Sequence, residues 1–188
     1  MLGNEKKFID DDLVGPDGDG TFGYAVSLSR DGYRLAVGSP GGNGFARVFQ
    51  WDAVKASWSR MGVDIRGPPT TPTQGSGSDS SSAGTLDVSG LGAVVRLSLD
   101  GNRLAVAVPG AGIARAYEWD RVERAWSTMG GDLTAGGGGG SIERVAISGD
   151  GAVVAVGAPG DETTNGTCLL YTSPSPRDQR GSRMPSSA

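Results

Sequence analysis

The sequence predicts an all-β protein, a partial (open) β-propeller of four-stranded antiparallel blades, and three observations predict it. Glycine makes up 33 of 188 residues while hydrophobic residues reach only 37% and aromatic residues 6%, a balance that favours turn-dense β structure over helices. A segment with an alternating apolar run, an Asp-Gly pair and a closing proline occurs three times. A second, tryptophan-bearing segment occurs twice, each time downstream of the first. Self-similarity at this scale marks an array of equivalent supersecondary units.

The first segment runs from Phe22-Gly23 to Gly38-Ser39-Pro40, returns from Leu91-Gly92 to Ala107-Val108-Pro109, and returns again from Val145 to Gly157-Ala158-Pro159. In its opening strand Phe22, Tyr24, Val26 and Leu28 alternate with Gly23, Ala25, Ser27 and Ser29, the period of a strand buried unequally on its two faces. Asp31-Gly32, Asp100-Gly101 and Asp150-Gly151 then supply a hairpin, because glycine accepts positive φ and aspartate bonds nearby backbone. The next strand, Leu35 to Gly38, sets large residues on one face against Ala and Gly on the other, so a neighbouring sheet can approach closely. Proline, which cannot donate to a continuing ladder, ends it.

The second segment, Gly44 to Gly62, matches Gly112 to Gly130 at ten of nineteen positions. It supplies a third strand, Phe45 to Trp51, and a fourth from Trp58 to Ile65. The chain therefore divides into a first blade at 16–67, a second at 91–135 and a truncated third at 136–167. Residues 1–15 read as the last strand of a preceding blade, since Asp12-Leu13 matches Asp64-Ile65. Residues 68–90 are a flexible insertion rich in Pro, Ser, Thr and Gly, and Gly136 to Gly140 is a flexible joint of the same kind. An O-glycosylated reading of Thr70, Thr71 and Thr73 rests on composition alone.

Residues 168–188 stand apart. Cys168 to Ser173 back-translates as a transposase mosaic end used in sequencing libraries, Pro174 to Asp178 as the adapter that follows it, and Ser182 to Ala188 as a flow-cell primer. The expectation is an adapter-derived artefact, disordered, attached where the natural gene is interrupted at Thr167. A natural Ser/Pro/Arg tail would be disordered too. Three fragments of one fold cannot close a ring, so the open pieces are expected to aggregate when expressed alone.

Composition removes several chemistries. Without histidine there is no Ser-His-Asp triad, no imidazole base and no Cys/His zinc site. The net charge is −4, and the discarded tail holds three arginines against one acid, so the remainder is more acidic still and offers no footprint for nucleic acid. No run approaches the ~18 apolar residues of a membrane span. Met1 to Phe8 leads straight into Asp10-Asp11-Asp12, without the apolar stretch of a secretory signal.

Phe22-Gly23, Gly38-Ser39-Pro40 and Gly157-Ala158-Pro159, together with the Val48-Phe49-Gln50-Trp51 strand and the Trp58 to Ile65 strand, resemble the FG-GAP repeat of integrin-α-like β-propellers in its looser microbial form. The resemblance covers roughly residues 5 to 166. It weakens to Leu91-Gly92 in the second unit, and the FG pair is missing from the third. It implies a non-enzymatic binding module that mediates protein or glycan interactions, in adhesion for instance, at a cell surface or outside the cell, with the remaining blades of the same propeller as its nearest partners. The alternative is a fragment of a propeller enzyme, a hydrolase or lyase, whose active-site residues lie in the missing blades. The inward positions here carry mainly small and aliphatic residues, with Arg96, Glu143 and Arg144 as exceptions that do not recur.

No catalytic, cofactor-binding or metal-binding residue is assigned, and no ligand-binding residue is identified. Gly18-Asp19-Gly20-Thr21-Phe22-Gly23 fits G-x-G-x-x-G in letters only, since it opens a strand where a dinucleotide fingerprint opens a helix, and Asp19 would repel a phosphate. Asp17 and Asp19, with Asp10 to Asp12 nearby, lack the spacing of a calcium loop, and Arg30-Asp31-Gly32, Leu99-Asp100-Gly101 and Gly149-Asp150-Gly151 each offer one carboxylate, a turn residue and no cage. Asp161 to Gly166 occupies the same inter-strand loop as Gly41 to Gly44, a solvated loop on the face where ligands are usually met. Asn165-Gly166-Thr167 is a formal glycosylation acceptor. Trp51, Trp58, Trp119 and Trp126 recur at equal spacing, which reads as sheet packing and not as a sugar platform.

Overall fold

The computed structural model describes residues 12–41, 44–67, 90–134, 141–160 and 165–172. Among them thirteen strands and a single 3-10 turn, Pro109–Ala111, build three antiparallel sheets, with no α-helix. The first sheet contains β1 (Ala25–Leu28), β2 (Arg34–Ser39), β3 (Phe45–Asp52), β4 (Ser57–Arg60) and β5 (Ile65–Arg66). The second repeats it with β6 (Val94–Leu97), β7 (Arg103–Val108), β8 (Ile113–Asp120), β9 (Ala125–Thr128) and β10 (Leu133–Thr134). The third holds β11 (Arg144–Ile147), β12 (Val153–Ala158) and β13 (Thr167–Thr172). The register repeats as well: Ala25 faces Gly38, Val94 faces Ala107 and Arg144 faces Gly157.

The three hairpins share one set of bonds. Ser29, Ser98 and Ser148 each donate to the aspartate two residues on, at 2.6 Å in every case. The same aspartate accepts the backbone N–H of Tyr33, Asn102 or Ala152 at 3.0 Å. The serine oxygen in turn accepts the N–H of Arg34, Arg103 or Val153. Gly32, Gly101 and Gly151 sit at φ +74°, +68° and +72°, the left-handed conformation that closes the turn.

Packing follows the large and small faces of each sheet. Ala36, Ala46 and Val48 of the first sheet bury against Val95, Leu97, Leu104, Val106 and Tyr117 of the second. Ala105, Ala107, Ala114 and Ala116 of the second bury against Val145, Val154 and Val156 of the third. Alanine on one side and branched or aromatic residues on the other let the layers interdigitate at close spacing, so the large face of each sheet covers the small face of the one before it. Gly38 is the tightest point: a Cβ there would strike the Gly92 carbonyl. The hairpin tips are stitched in the same direction, Arg30 N–H to Leu99 O and Leu99 N–H to Gly149 O, both at 2.9 Å.

Three expectations change. The fourth strand expected from Trp58 to Ile65 is two short strands, β4 and β5, both on the outer side of β3, because the chain leaves the ladder at Met61 to Asp64 through Gly62 at φ +84°. Cys168 to Thr172, expected to be disordered, lies in β13 and pairs with β12 along its length, since Leu169 and Tyr171 alternate with Cys168 and Leu170 and suit a strand that covers one face. Val26 and Leu28, on the face expected to be the more buried, are each 59% exposed, because that face belongs to the first sheet and none of the described sheets packs on it. Residues 12–15 carry no strand. Residues 1–11, 42–43, 68–89, 135–140, 161–164 and 173–188 lie outside the described residues, and with them most of the expected preceding strand, the middle of the Gly41–Gly44 loop, the insertion, the Gly136–Gly140 joint, Asp10, Asp11, Asp161 and the rest of the tail.

Candidate functional site

The loops that leave β2 and β7 emerge at the end of the sheets opposite the Asp-Gly hairpins. At this end of the first sheet a concavity of about 540 Å³ is lined by Asp17, Asp19, Thr21, Gly44, Phe45 and Arg66. Its floor is a compact polar knot. Asp19 accepts bonds from the Ser39 hydroxyl at 2.6 and 2.7 Å and from the Thr21 hydroxyl at 2.9 Å, and Thr21 Oγ1 accepts the Gly41 N–H at 3.0 Å. Ser39 is 1% exposed and Thr21 9%. Burial pushes the Asp19 carboxyl up, but the Ser39 and Thr21 bonds, helped by the Arg47 charge, outweigh it and hold the group below the usual carboxylate range.

Asp19 is therefore an anion tied on both oxygens. A general base works best near the ambient pH, and a serine is activated only when its hydroxyl is aimed at such a base. Here Ser39 donates to a carboxylate that has no tendency to take its proton, so the group joins the approach segment of β1 to the end of β2. The G-x-G-x-x-G letters fall in turns before β1, as a strand-opening segment requires.

Beside this knot lies a charged group that the sequence reading passed over. The Arg47 guanidinium, in a residue 3% exposed, lies against the stacked rings of Phe22 and Phe45, whose centroids are 5.5 and 5.1 Å away, and pairs in bidentate fashion with Asp64 at 2.6 and 2.9 Å. The Arg47 bonds hold Asp64 below the usual carboxylate range against the opposing effect of burial. Arg115 and Asp132 make the same pair in the second sheet, and the hydrogen bonds that Arg115 donates to Asp132 push the Arg115 pKa up. The signal was available, since Arg47 to Asp64 and Arg115 to Asp132 share one spacing at equivalent positions of the repeat. In the third sheet Leu169 stands where these arginines stand.

The remaining candidates separate. Among the described residues no three Asp, Glu, Cys or His side chains come together as metal ligands. Arg96 and Arg144 each fold onto their own backbone, donating to the Val95 and Glu143 carbonyls. Asn165 is exposed and Thr167 opens β13. The tryptophans form two pairs, Trp51 with Trp58 edge-on at 5.5 Å and Trp119 with Trp126 tilted at 5.4 Å, on the outer strands. Trp119 and Trp126 pack on the core between the first two sheets, as expected from their spacing.

No protein-family model and no curated protein matches the sequence. Solved structures do. The complex of KlAtg21 with the coiled-coil of AgAtg16 aligns with a TM-score of 0.51 and 18% identity, over 80% of this chain and 40% of that one. Sqt1 of Saccharomyces cerevisiae aligns with a TM-score of 0.51 and 13% identity, over 83% and 33%. The fold is β-propeller-like. At these identities the likeness concerns the fold alone, and the chain spans 40% and 33% of the lengths of the two structures. No helix among the described residues is long and apolar enough to cross a membrane.

Proposed function

We propose that this chain is part of a non-enzymatic β-propeller interaction module of the FG-GAP type, the first two sheets each a four-stranded blade whose outermost strand is β4 with β5, or β9 with β10, and the third a truncated one. Its loop end meets a protein or glycan ligand at a cell surface or outside the cell. The observation that carries the reading is the loop-end concavity itself, bordered by exposed Asp17 and Arg66 above a floor whose Asp19, Thr21 and Ser39 side chains are already bonded to one another. A surface with charge at its rim and its buried polar groups already paired is suited to holding a partner, and loops on a rigid scaffold are where such contacts are made.

The test is binding of the full chain to a glycan array and to a panel of extracellular protein domains. The expected result is a ligand lost on Arg66→Glu or Asp17→Lys at the loop end and kept on Lys55→Glu at the other end. Binding indifferent to all three substitutions, or turnover of ester or glycoside substrates, would overturn the assignment.

A further inference from the structure

Asp17, Asp19, Asp31, Asp100 and Asp150 are each followed by a glycine. Such a pair carries its own chemistry, because the glycine amide nitrogen can close a five-membered ring on the aspartate carboxyl carbon, and a residue without a Cβ leaves that approach unobstructed. Whether the ring forms in the folded protein depends on how firmly the two groups are held, and here the pairs differ.

The hairpin pairs are held at both groups. Ser29, Ser98 and Ser148 bond the carboxylates of Asp31, Asp100 and Asp150 at 2.6 Å, and the N–H groups of Tyr33, Asn102 and Ala152 bond them at 3.0 Å. The attacking nitrogens are engaged as well, since Gly32, Gly101 and Gly151 donate to the Ser29, Ser98 and Ser148 carbonyls at 3.0, 2.9 and 2.8 Å. Ring closure there must first open the hairpin. The Asp19 carboxylate is tied by Ser39 and Thr21.

Asp17-Gly18 is placed differently. Pro16, Asp17 and Gly18 are all exposed, and their turn is closed by Asp19 N–H to the Pro16 carbonyl at 3.1 Å, a bond that uses neither the Asp17 carboxyl nor the Gly18 N–H. Gly18 sits at φ +80°, and a Cβ built on it would meet nothing within 4 Å among the described residues, so a ring has room. Both residues border the loop-end concavity.

We propose that Asp17-Gly18 is a modification site, at which the folded protein spontaneously converts an aspartate into an isoaspartate. The Gly18 nitrogen attacks the carbon of the Asp17 carboxylic acid, a C–N bond forms, and the N–H proton leaves with the acid hydroxyl as water, giving a succinimide. Water then opens the ring. Attack at the side-chain carbonyl restores aspartate, whereas attack at the main-chain carbonyl routes the backbone through Cβ and leaves the free carboxylate on Cα. The rim of the concavity thereby gains a methylene in its main chain and has its carboxylate drawn back. The conversion itself does not depend on the loop-end reading above.

The test incubates the full chain in neutral buffer, folded and in parallel in guanidinium chloride, and assigns isoaspartate position by position by electron-transfer fragmentation after digestion. Dividing each folded rate by the denatured rate removes the effect of neighbouring sequence. The ratio for Asp17 is expected to be at least tenfold above the ratios for Asp31, Asp100 and Asp150. Asn165-Gly166 reaches the same kind of ring by losing ammonia and is told apart by its gain in mass. Asp17→Glu, whose longer side chain does not close this ring, is expected to remove the signal at position 17 and leave the other positions unchanged. A ratio for Asp17 less than tenfold above those of the hairpin aspartates, or a signal that survives Asp17→Glu, would overturn the proposal.

Discussion

Arg47 and Asp64 form a bidentate ion pair at 2.6 and 2.9 Å with side-chain exposures of 4% and 13%, whereas the equivalent pair of Arg115 and Asp132 has exposures of 22% and 40%. A charge stripped of water depends on its partner far more than an exposed one does. Asp64→Ala is therefore expected to destabilise the protein by roughly 3–5 kcal/mol, because it leaves a buried guanidinium uncompensated. Asp132→Ala should cost under about 1 kcal/mol. Urea unfolding of both variants measures the contrast.

Acid should unfold the protein through the same carboxylates. Hydrogen bonds from Arg47 and Arg115 hold Asp64 and Asp132 below the ordinary value, and bonds from Ser29 and Ser148 do the same for Asp31 and Asp150. Each group has a lower pKa folded than unfolded, so its contribution is fully present above about pH 4, the unfolded value, and disappears as pH falls through the folded value. Circular dichroism at fixed temperature should show stability flat from about pH 5 upward and falling below about pH 4. Asp64→Asn should show a smaller fall.

The hairpin glycines differ in what surrounds them. All three lie near φ +70°, but Arg34 packs over Gly101 and Arg103 over Gly151, while a Cβ on Gly32 would meet nothing within 4 Å among the described residues. Gly32→Ala should cost about 1 kcal/mol, the backbone penalty alone. Gly101→Ala and Gly151→Ala should cost more, and adding Arg34→Ala to Gly101→Ala should recover the excess. A double-mutant cycle in urea measures the coupling.

How much of this was legible in the sequence depends on whether a residue acts within its own hairpin or across sheets. Asp31-Gly32 and its two echoes announced their turns, because a β-turn is decided by four neighbouring residues. The alternation of Leu35 and Val37 with Ala36 and Gly38 announced a small face for close packing, and Ala36 is fully buried in the seam. Which face would be covered was not readable: Val26 and Val95 are equivalent, yet one is 59% exposed and the other 0%, and only the neighbouring sheet decides it. The break between β4 and β5 was missed because the alternation of Met61 and Val63 hides the departure at Gly62. The Arg47 pair was legible only by comparing the two repeats, while the bond from Ser39 to Asp19 and that from Trp126 to Met61 join residues 20 and 65 positions apart, and no local pattern encodes such contacts.

Gly38 offers a severe test of the close approach between sheets. An added Cβ would meet the backbone of Gly92, which cannot rotate away as a side chain can. Gly38→Ala should therefore destabilise more than Gly32→Ala in spite of its ordinary φ, by more than about 2 kcal/mol, in the range of overpacked core sites. Thermal melts of the two variants side by side measure it.

Methyl-resolved NMR of the full chain gives the most direct reading of the sheet stacking. The expected cross-peaks connect Ala36, Ala46 and Val48 with Leu104, Val106 and Val95, and separately Ala105, Ala107 and Ala114 with Val145, Val154 and Val156. Cross-peaks joining Val48 directly to Val154 or Val156, or none between the first pair of groups, would contradict three successive sheets each laid with its large face on the small face before it.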